Sequence, residues 1–150
     1  MSLKTKIEQE IKQAMLNKAK DRLTALRAIK SAILLAETEK SAGSELSEDT
    51  EMKLLMKAAK QRKDSATLYE EQGREDLATV EKQELSVIEE FLPKQMGEDE
   101  IRAELVKIVE QLGASGPQDM GKVMGAATKQ LAGKADGKTI SMIVKQLLTQ

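Results

Sequence analysis

Residues 116–139, GPQDMGKVMGAATKQLAGKADGKT, come within one change of the phosphate-cradling pattern G-x-x-x-x-G-K-[ST] at two places. Gly116 to Val123 keeps the spacing but has Val123 where a hydroxyl should hold magnesium. Gly133 to Thr139 has the hydroxyl but is one residue short. The chemistry needs more than these letters. A loop of this type grips phosphate when it leaves a buried strand and opens a helix, so that backbone N–H groups and the helix dipole converge on the anion. Here the first near-match follows a helical pattern and a loop. In the second, Asp136 is placed to cap the last helix, which engages the donors a phosphate would use. A mononucleotide site is therefore not expected, and the glycines need another explanation.

The residue types that are missing narrow the chemistry further. With no cysteine there is no thiol nucleophile, disulfide or thiolate metal site; with no histidine the commonest general base and metal ligand is gone. Carboxylates do chemistry as pairs when they converge in a pocket. The acids of this chain are instead strung along helical patterns and interleaved with lysine, as in Glu8 with Lys12 and Asp49 with Lys53, a spacing that solubilises a helix face. No catalytic residue, metal or cofactor is expected. The net charge of −1 predicts no global attraction to nucleic acid or membrane, so any such attraction must be local. The longest apolar run, Ala32 to Ala36, is far too short to span a bilayer, and no signal-peptide core opens the chain. A cytoplasmic protein without a membrane partner is the expectation.

The elements that must position any site are helices. Hydrophobic residues make up 40% of the 150, aromatics are reduced to Tyr69 and Phe91, and 33% are charged, a helix-forming palette. No stretch alternates as a half-buried strand does, whereas a 3.6-residue period recurs almost throughout. Leu3, Ile7, Ile11 and Met15 line a first helix to about Asn17, and Leu23, Leu26, Ile29 and Ile33 a second from about Asp21 to Lys40. SAGSELSED interrupts, with Ser47 as the cap of a third helix that stops at Gly73. Leu77, Val80, Leu85, Ile88 and Phe91 mark a fourth, ended by Pro93. Beyond LPKQMG come three shorter helices. The first carries Ile101, Leu105, Ile108 and Leu112 and closes at Gly113. The second carries Met120, Val123, Met124, Ala127 and Leu131 and closes at Gly133. The third starts at Asp136 and carries Ile140, Ile143, Val144 and Leu147. The prediction is an all-α protein with an N-terminal four-helix domain over 1–93 and a smaller three-helix domain over 97–150.

Charge is uneven within the smaller part. From Glu98 to Leu112 the acids Glu98, Asp99, Glu100, Glu104 and Glu110 outnumber Arg102 and Lys107. From Gln118 onward Lys122, Lys129, Lys134, Lys138 and Lys145 outnumber Asp119 and Asp136. A module with such a basic side can sit against phosphates while the whole chain stays near neutral. Gly121, Gly125, Thr128 and Ala132 recur at helical spacing beside it. Because glycine inside a helix costs about 1 kcal/mol against alanine, the favoured reading is that this bare stripe lets another helix backbone come close. The other reading admits a nucleic-acid backbone there, flanked by Lys122, Lys129 and Lys134.

The motifs LRAIK (Leu26 to Lys30), QRKDS (Gln61 to Ser65), FLPKQM (Phe91 to Met96), MGKVMG (Met120 to Gly125) and GKADG (Gly133 to Gly137) together resemble the YqeY family of small bacterial proteins. The resemblance runs over nearly the whole chain in the same order. Gly97 departs from it, standing where the family tends to carry a capping Ser. That family is similar in turn to the helical and tail regions of GatB, a subunit of the glutamine-dependent amidotransferase that acts on misacylated tRNA. The resemblance implies an all-helical two-part fold whose smaller part corresponds to the tRNA-contacting tail; the catalytic portion of GatB has no counterpart here.

Two classes of function follow as expectations. The first is a non-catalytic tRNA-binding accessory protein. Lys122, Lys129, Lys134 and Lys138 would touch phosphates beside Gly121 and Gly125, and Arg27, Lys30, Lys60, Arg62 and Lys63 would contribute from the first domain. With aromatics nearly absent, no base-stacking platform is available and recognition would be of shape. Against this, Lys57, Lys60 and Lys63 share a face in the manner of an ordinary solvated helix side, and Arg27 has acids to pair with across a bundle. The second class is a helical interaction module docking on an aminoacyl-tRNA synthetase or amidotransferase partner, with Met52, Met56, Met120 and Met124 as an adaptable surface, although methionine at this spacing more often fills a core. Carbon–nitrogen ligase activity with glutamine as amido-nitrogen donor is implied by kinship alone, and kinship of fold does not carry chemistry.

Overall fold

Side-chain caps open three of the helices among the described residues. Ser2 Oγ accepts from the backbone N–H of Thr5 and opens α1 (Leu3–Leu16). A turn through Lys18, with a left-handed φ of 55°, leads into α2 (Lys20–Lys40). Ser47 Oγ accepts from Thr50 N–H at 3.2 Å and opens α3 (Glu48–Glu71), whose first turn carries Glu48, Asp49 and Glu51 against the positive end of the dipole. Gly73, at φ 74°, turns the chain into α4 (Glu75–Glu89). Gly97 opens α5 (Glu98–Leu112) with no side-chain cap, and Gly113 closes it at φ 63°. A single 3-10 turn, Pro117–Asp119, precedes α6 (Met120–Gln130), and Asp136 caps α7 (Gly137–Leu148).

The structure is a computed structural model that describes residues 2–40 and 45–149. Of the interruption expected at SAGSELSED, residues 41–44 lie outside the described residues. Among the described residues the regular structure is entirely helical, and no helix is long and apolar enough to cross a membrane.

The chain divides into two compact units, Met1–Leu92 and Pro93–Gln150. In the first, α3 packs chiefly on α4, and α2 packs on both α1 and α4. Ile7, Leu26, Ile29, Ile33, Leu55 and Ile88 form its interior. In the second, α5, α6 and α7 each pack on the other two around Leu105, Ile108, Val123, Ile140, Ile143 and Val144. Burying a side chain of this kind contributes about 1.5–3 kcal/mol.

Three details of the expected apolar faces are corrected. Ala14 is buried where Met15 was expected, and Met15 is 56% exposed, because the turn from Ile7 to position 14 keeps the face and one further residue rotates about 100° off it. In the first half of α4 the buried residue is Ala78, while Val80 stands 49% exposed. In α7 Leu148 is buried and Leu147 only partly so. Met52, Met56, Met120 and Met124 are partly buried and pack against their units' cores, as the core-filling reading of methionine at this spacing expects.

Candidate nucleic-acid interface

The second unit is held in shape by a contact between two sequence motifs. After Pro93, the side-chain amide of Gln95 donates from Nε2 to the carbonyl oxygens of both Pro93 (2.8 Å) and Gly133 (2.7 Å). The next residue, Met96, donates its backbone N–H to Lys134 O at 2.9 Å. FLPKQM and GKADG, far apart in the chain, are thus joined by hydrogen bonds at one turn. Gly133 is buried there with φ 75°, a conformation that favours glycine, and sits at the turn between α6 and α7. Asp136 completes the turn: Oδ1 accepts from Thr139 N–H at 2.7 Å and Oδ2 from Thr139 Oγ1 at 3.1 Å. Its carboxylate therefore engages donors at the N-terminus of α7, as expected of the second near-match. The first near-match follows α5 and a short loop, spans the 3-10 turn Pro117–Asp119 and runs into the first residues of α6, with no strand before it.

Lysines decorate this frame. Lys122, Lys129, Lys134, Lys138 and Lys145 are all exposed, and none forms an ion pair with a carboxylate among the described residues. The two acids of the same segment are turned to backbone work. Asp119 Oδ2 accepts from Ser115 N–H at 3.0 Å, and Asp136 caps α7. Neither is salt-bridged to a lysine among the described residues. Lys122 and Lys129, two turns apart, share one side of α6; Lys138 and Lys145 share the side of α7 turned away from its buried Ile140 and Ile143. Lys145 was missing from the expected contact set although its spacing from Lys138 was readable in the sequence.

The glycine stripe faces outward. Gly121, Gly125, Thr128 and Ala132 are exposed, and a Cβ built at Gly121 or Gly125 would meet nothing within 4 Å. Within the second unit this overturns the favoured reading of close helix packing, because no backbone of α5 or α7 approaches that face. Thr128 directs its hydroxyl proton to the carbonyls of Met124 (2.8 Å) and Gly125 (3.2 Å), so it offers no free donor to a phosphate. What remains is a bare length of helix with Lys122 and Lys129 along one edge.

The expected contacts of the first unit divide. Arg62 Nε lies 2.6 Å from Glu84 Oε2 and 3.7 Å from Glu81 Oε2, with only a quarter of the side chain exposed. Arg62 Nε and Glu81 Oε2 are buried and make no hydrogen bond of good geometry among the described residues, so their contact is electrostatic. Lys30 pairs with Glu8 at 3.5 Å. These two side chains are committed within the helical unit. Arg27, Lys60 and Lys63 are exposed and carry no ion pair among the described residues, so the pairing anticipated for Arg27 does not form. A contact of this unit that joins one arginine to two carboxylates went unforeseen. Arg22 reaches Glu90 at 2.6 Å and Glu10 at 2.8 Å, and hydrogen bonds to Glu90 first and Glu10 second hold its pKa above the ordinary arginine value. No local pattern marks three residues so far apart in sequence. Among the described residues no cluster of three or more acidic side chains gathers in a form able to hold a metal ion.

Comparison with known proteins bears on the whole chain. A family model described as Yqey-like protein matches residues 4–148. The chain is 33% identical over 137 residues to "Altered inheritance of mitochondria protein 41, mitochondrial" of Kluyveromyces lactis, a match covering 89% of this chain and 69% of the relative. It is 30% identical over 132 residues to the protein of that name from Clavispora lusitaniae, covering 87% and 74% respectively.

Proposed function

This chain belongs to the YqeY family, and on that footing we propose that it is a non-catalytic tRNA-binding accessory protein that grips the RNA backbone through the lysines of its second unit. We read α1 to α4 as one domain and α5 to α7 as another, the latter corresponding to the tail region of GatB. The observation that carries the reading is the set Lys122, Lys129, Lys134 and Lys138, exposed and free of ion pairs among the described residues, of which Lys122 and Lys129 edge a face of α6 left bare at Gly121 and Gly125. Ammonium groups without carboxylate partners attract phosphates and release the counterions condensed on them. A face without side chains lets a sugar–phosphate backbone approach, and contacts of this kind position an RNA without reading its bases. Lys145, sharing the outer side of α7 with Lys138, extends the set. Arg62 and Lys30 are left out because carboxylates already engage them.

The compartment proposed is the cytoplasm, where tRNA is abundant; the yeast relatives are named as mitochondrial proteins, and fractionation of cells decides the point for this chain. Amidotransferase or ligase activity is not proposed, since it rests on kinship to GatB alone.

The reading is tested by titrating bulk tRNA at two salt concentrations. Affinity should fall steeply with salt, and Lys122→Glu, Lys129→Glu and Lys134→Glu together should abolish it while circular dichroism stays helical. Binding that survives the triple change would show that this surface is not the contact. Amidated product from purified protein, Glu-tRNA, ATP and glutamine would overturn the non-catalytic part.

A further inference from the structure

A groove about three helical turns long runs between α2 and α3 of the first unit, from Thr50 to Gln61 on the α3 side, which at 1.5 Å per residue is roughly 16 Å. Its floor is apolar and low: Ala32 and Ala36 from α2, Leu54 and Ala58 from α3. Leu35 stands at its side 62% exposed, more than a large aliphatic group needs to be at the edge of a packed helix pair. One rim is cationic. Lys53 and Lys57, one turn apart on α3, are exposed and form no ion pair with a carboxylate among the described residues, while Glu39 lies on the opposite rim.

Apolar floor and cationic edge together select the occupant. A nucleic-acid backbone would satisfy the lysines but would set charged phosphates against alanine and leucine, losing hydration without hydrogen bonds in return. A helix with an apolar face and one acidic edge satisfies both features, and the alanine floor leaves room for its backbone to come near. We propose that the α2–α3 groove is a docking site for an amphipathic helix of a partner protein, with acidic residues one turn apart meeting Lys53 and Lys57. Glu39 calls for a neutral or basic residue on the ligand's other edge, so the ligand is acidic along one side and not all round. The site uses other residues and another unit than the RNA reading, so either can fail without the other.

The probe is a synthetic helical peptide of about fifteen residues, long enough to hold helix in the groove, with a leucine and alanine face and two glutamates one turn apart on its edge. Its twin carries lysines in place of those glutamates. Both are titrated into the full chain while the methyl NMR signals of Ala32, Leu35, Ala36, Leu54 and Ala58 are followed. The acidic peptide should move these methyls and bind at least about tenfold more tightly than the twin. Leu35→Glu, at an exposed position, should weaken it at least about tenfold with helicity unchanged. Lys53→Glu with Lys57→Glu should reverse the preference between the two peptides. Several outcomes overturn the proposal: shifts elsewhere or none, equal binding of the twins, or no reversal in the double variant. So would a tRNA titration that moves these methyls when the acidic peptide does not, which makes the groove a nucleic-acid surface. A dimer in sedimentation that Leu35→Glu dissolves would make it a contact between copies of this chain.

Discussion

The side-chain amide of Gln95 donates to the carbonyl of Gly133 at 2.7 Å while also holding Pro93 O at 2.8 Å, so one residue near the start of the second unit fastens the turn from which Lys134 projects. Gln95→Ala should remove donors from two partly buried carbonyls and cost about 1–3 kcal/mol. Urea denaturation measures the loss, and amide exchange should quicken first around residues 131–136. A variant of unchanged stability would mean that water replaces the amide without cost.

Glycines of the same unit should respond with opposite signs. Gly133 is buried at φ 75°, so Gly133→Ala forces a side chain into left-handed backbone and should destabilise by about 1–2 kcal/mol. Gly125 lies within α6 facing open space, so Gly125→Ala should stabilise by about 0.5–1 kcal/mol through helix propensity. Thermal melts of the two variants check the contrast. If the RNA reading holds, Gly125→Ala should nonetheless weaken tRNA binding, because the added methyl stands where a backbone would approach.

Asp136 holds the first turn of α7 through Thr139 N–H at 2.7 Å. Asp136→Ala should cost about 1 kcal/mol, and Asp136→Asn, which keeps an acceptor oxygen, should recover most of it. Equal loss in both would show that charge at the helix dipole, not the hydrogen bond, is what matters there.

Lys138 and Lys145 share the outer side of α7. Changing both to glutamine should leave the melting temperature nearly unchanged, because neither is buried or paired among the described residues. If they contact phosphates, the slope of log affinity against log salt should become shallower by about one to two units. An unchanged slope would remove this side of α7 from the RNA surface.

Arg74 and Asp76 supply a pH-dependent contact at the start of α4. The Arg74 guanidinium donates to both carboxylate oxygens of Asp76, at 3.2 and 3.1 Å, and holds the Asp76 pKa below the usual carboxylate range. A carboxylate depressed in the folded state stabilises above its unfolded pKa, and that contribution is lost as pH falls through the folded value. The pair is solvent-exposed, so its effect on stability should be small. Arg74→Ala should move the Asp76 titration, followed by carbon NMR of its carboxyl group, upward toward the ordinary value. An unmoved titration would show that the ion pair does not persist in solution.

Much of the architecture was legible in the chain because its causes are local. Ser47 and Asp136 announce helix starts by reaching a backbone N–H three residues on, and Gly73, Gly113 and Gly133 mark stops because each adopts positive φ. The all-helical class follows from the 3.6-residue period, and the failed phosphate loops from their missing strand. Side-chain partners were another matter. Nothing along the chain says that Arg62 meets Glu84 while Arg27 meets no acid among the described residues, or that Arg22 joins Glu10 to Glu90. Nor does spacing reveal whether the bare side of Gly121 and Gly125 faces a helix or solvent. Periodicity states which residues of a helix share a side; what lies opposite that side depends on how separate helices pack, and only the tertiary structure brings them together.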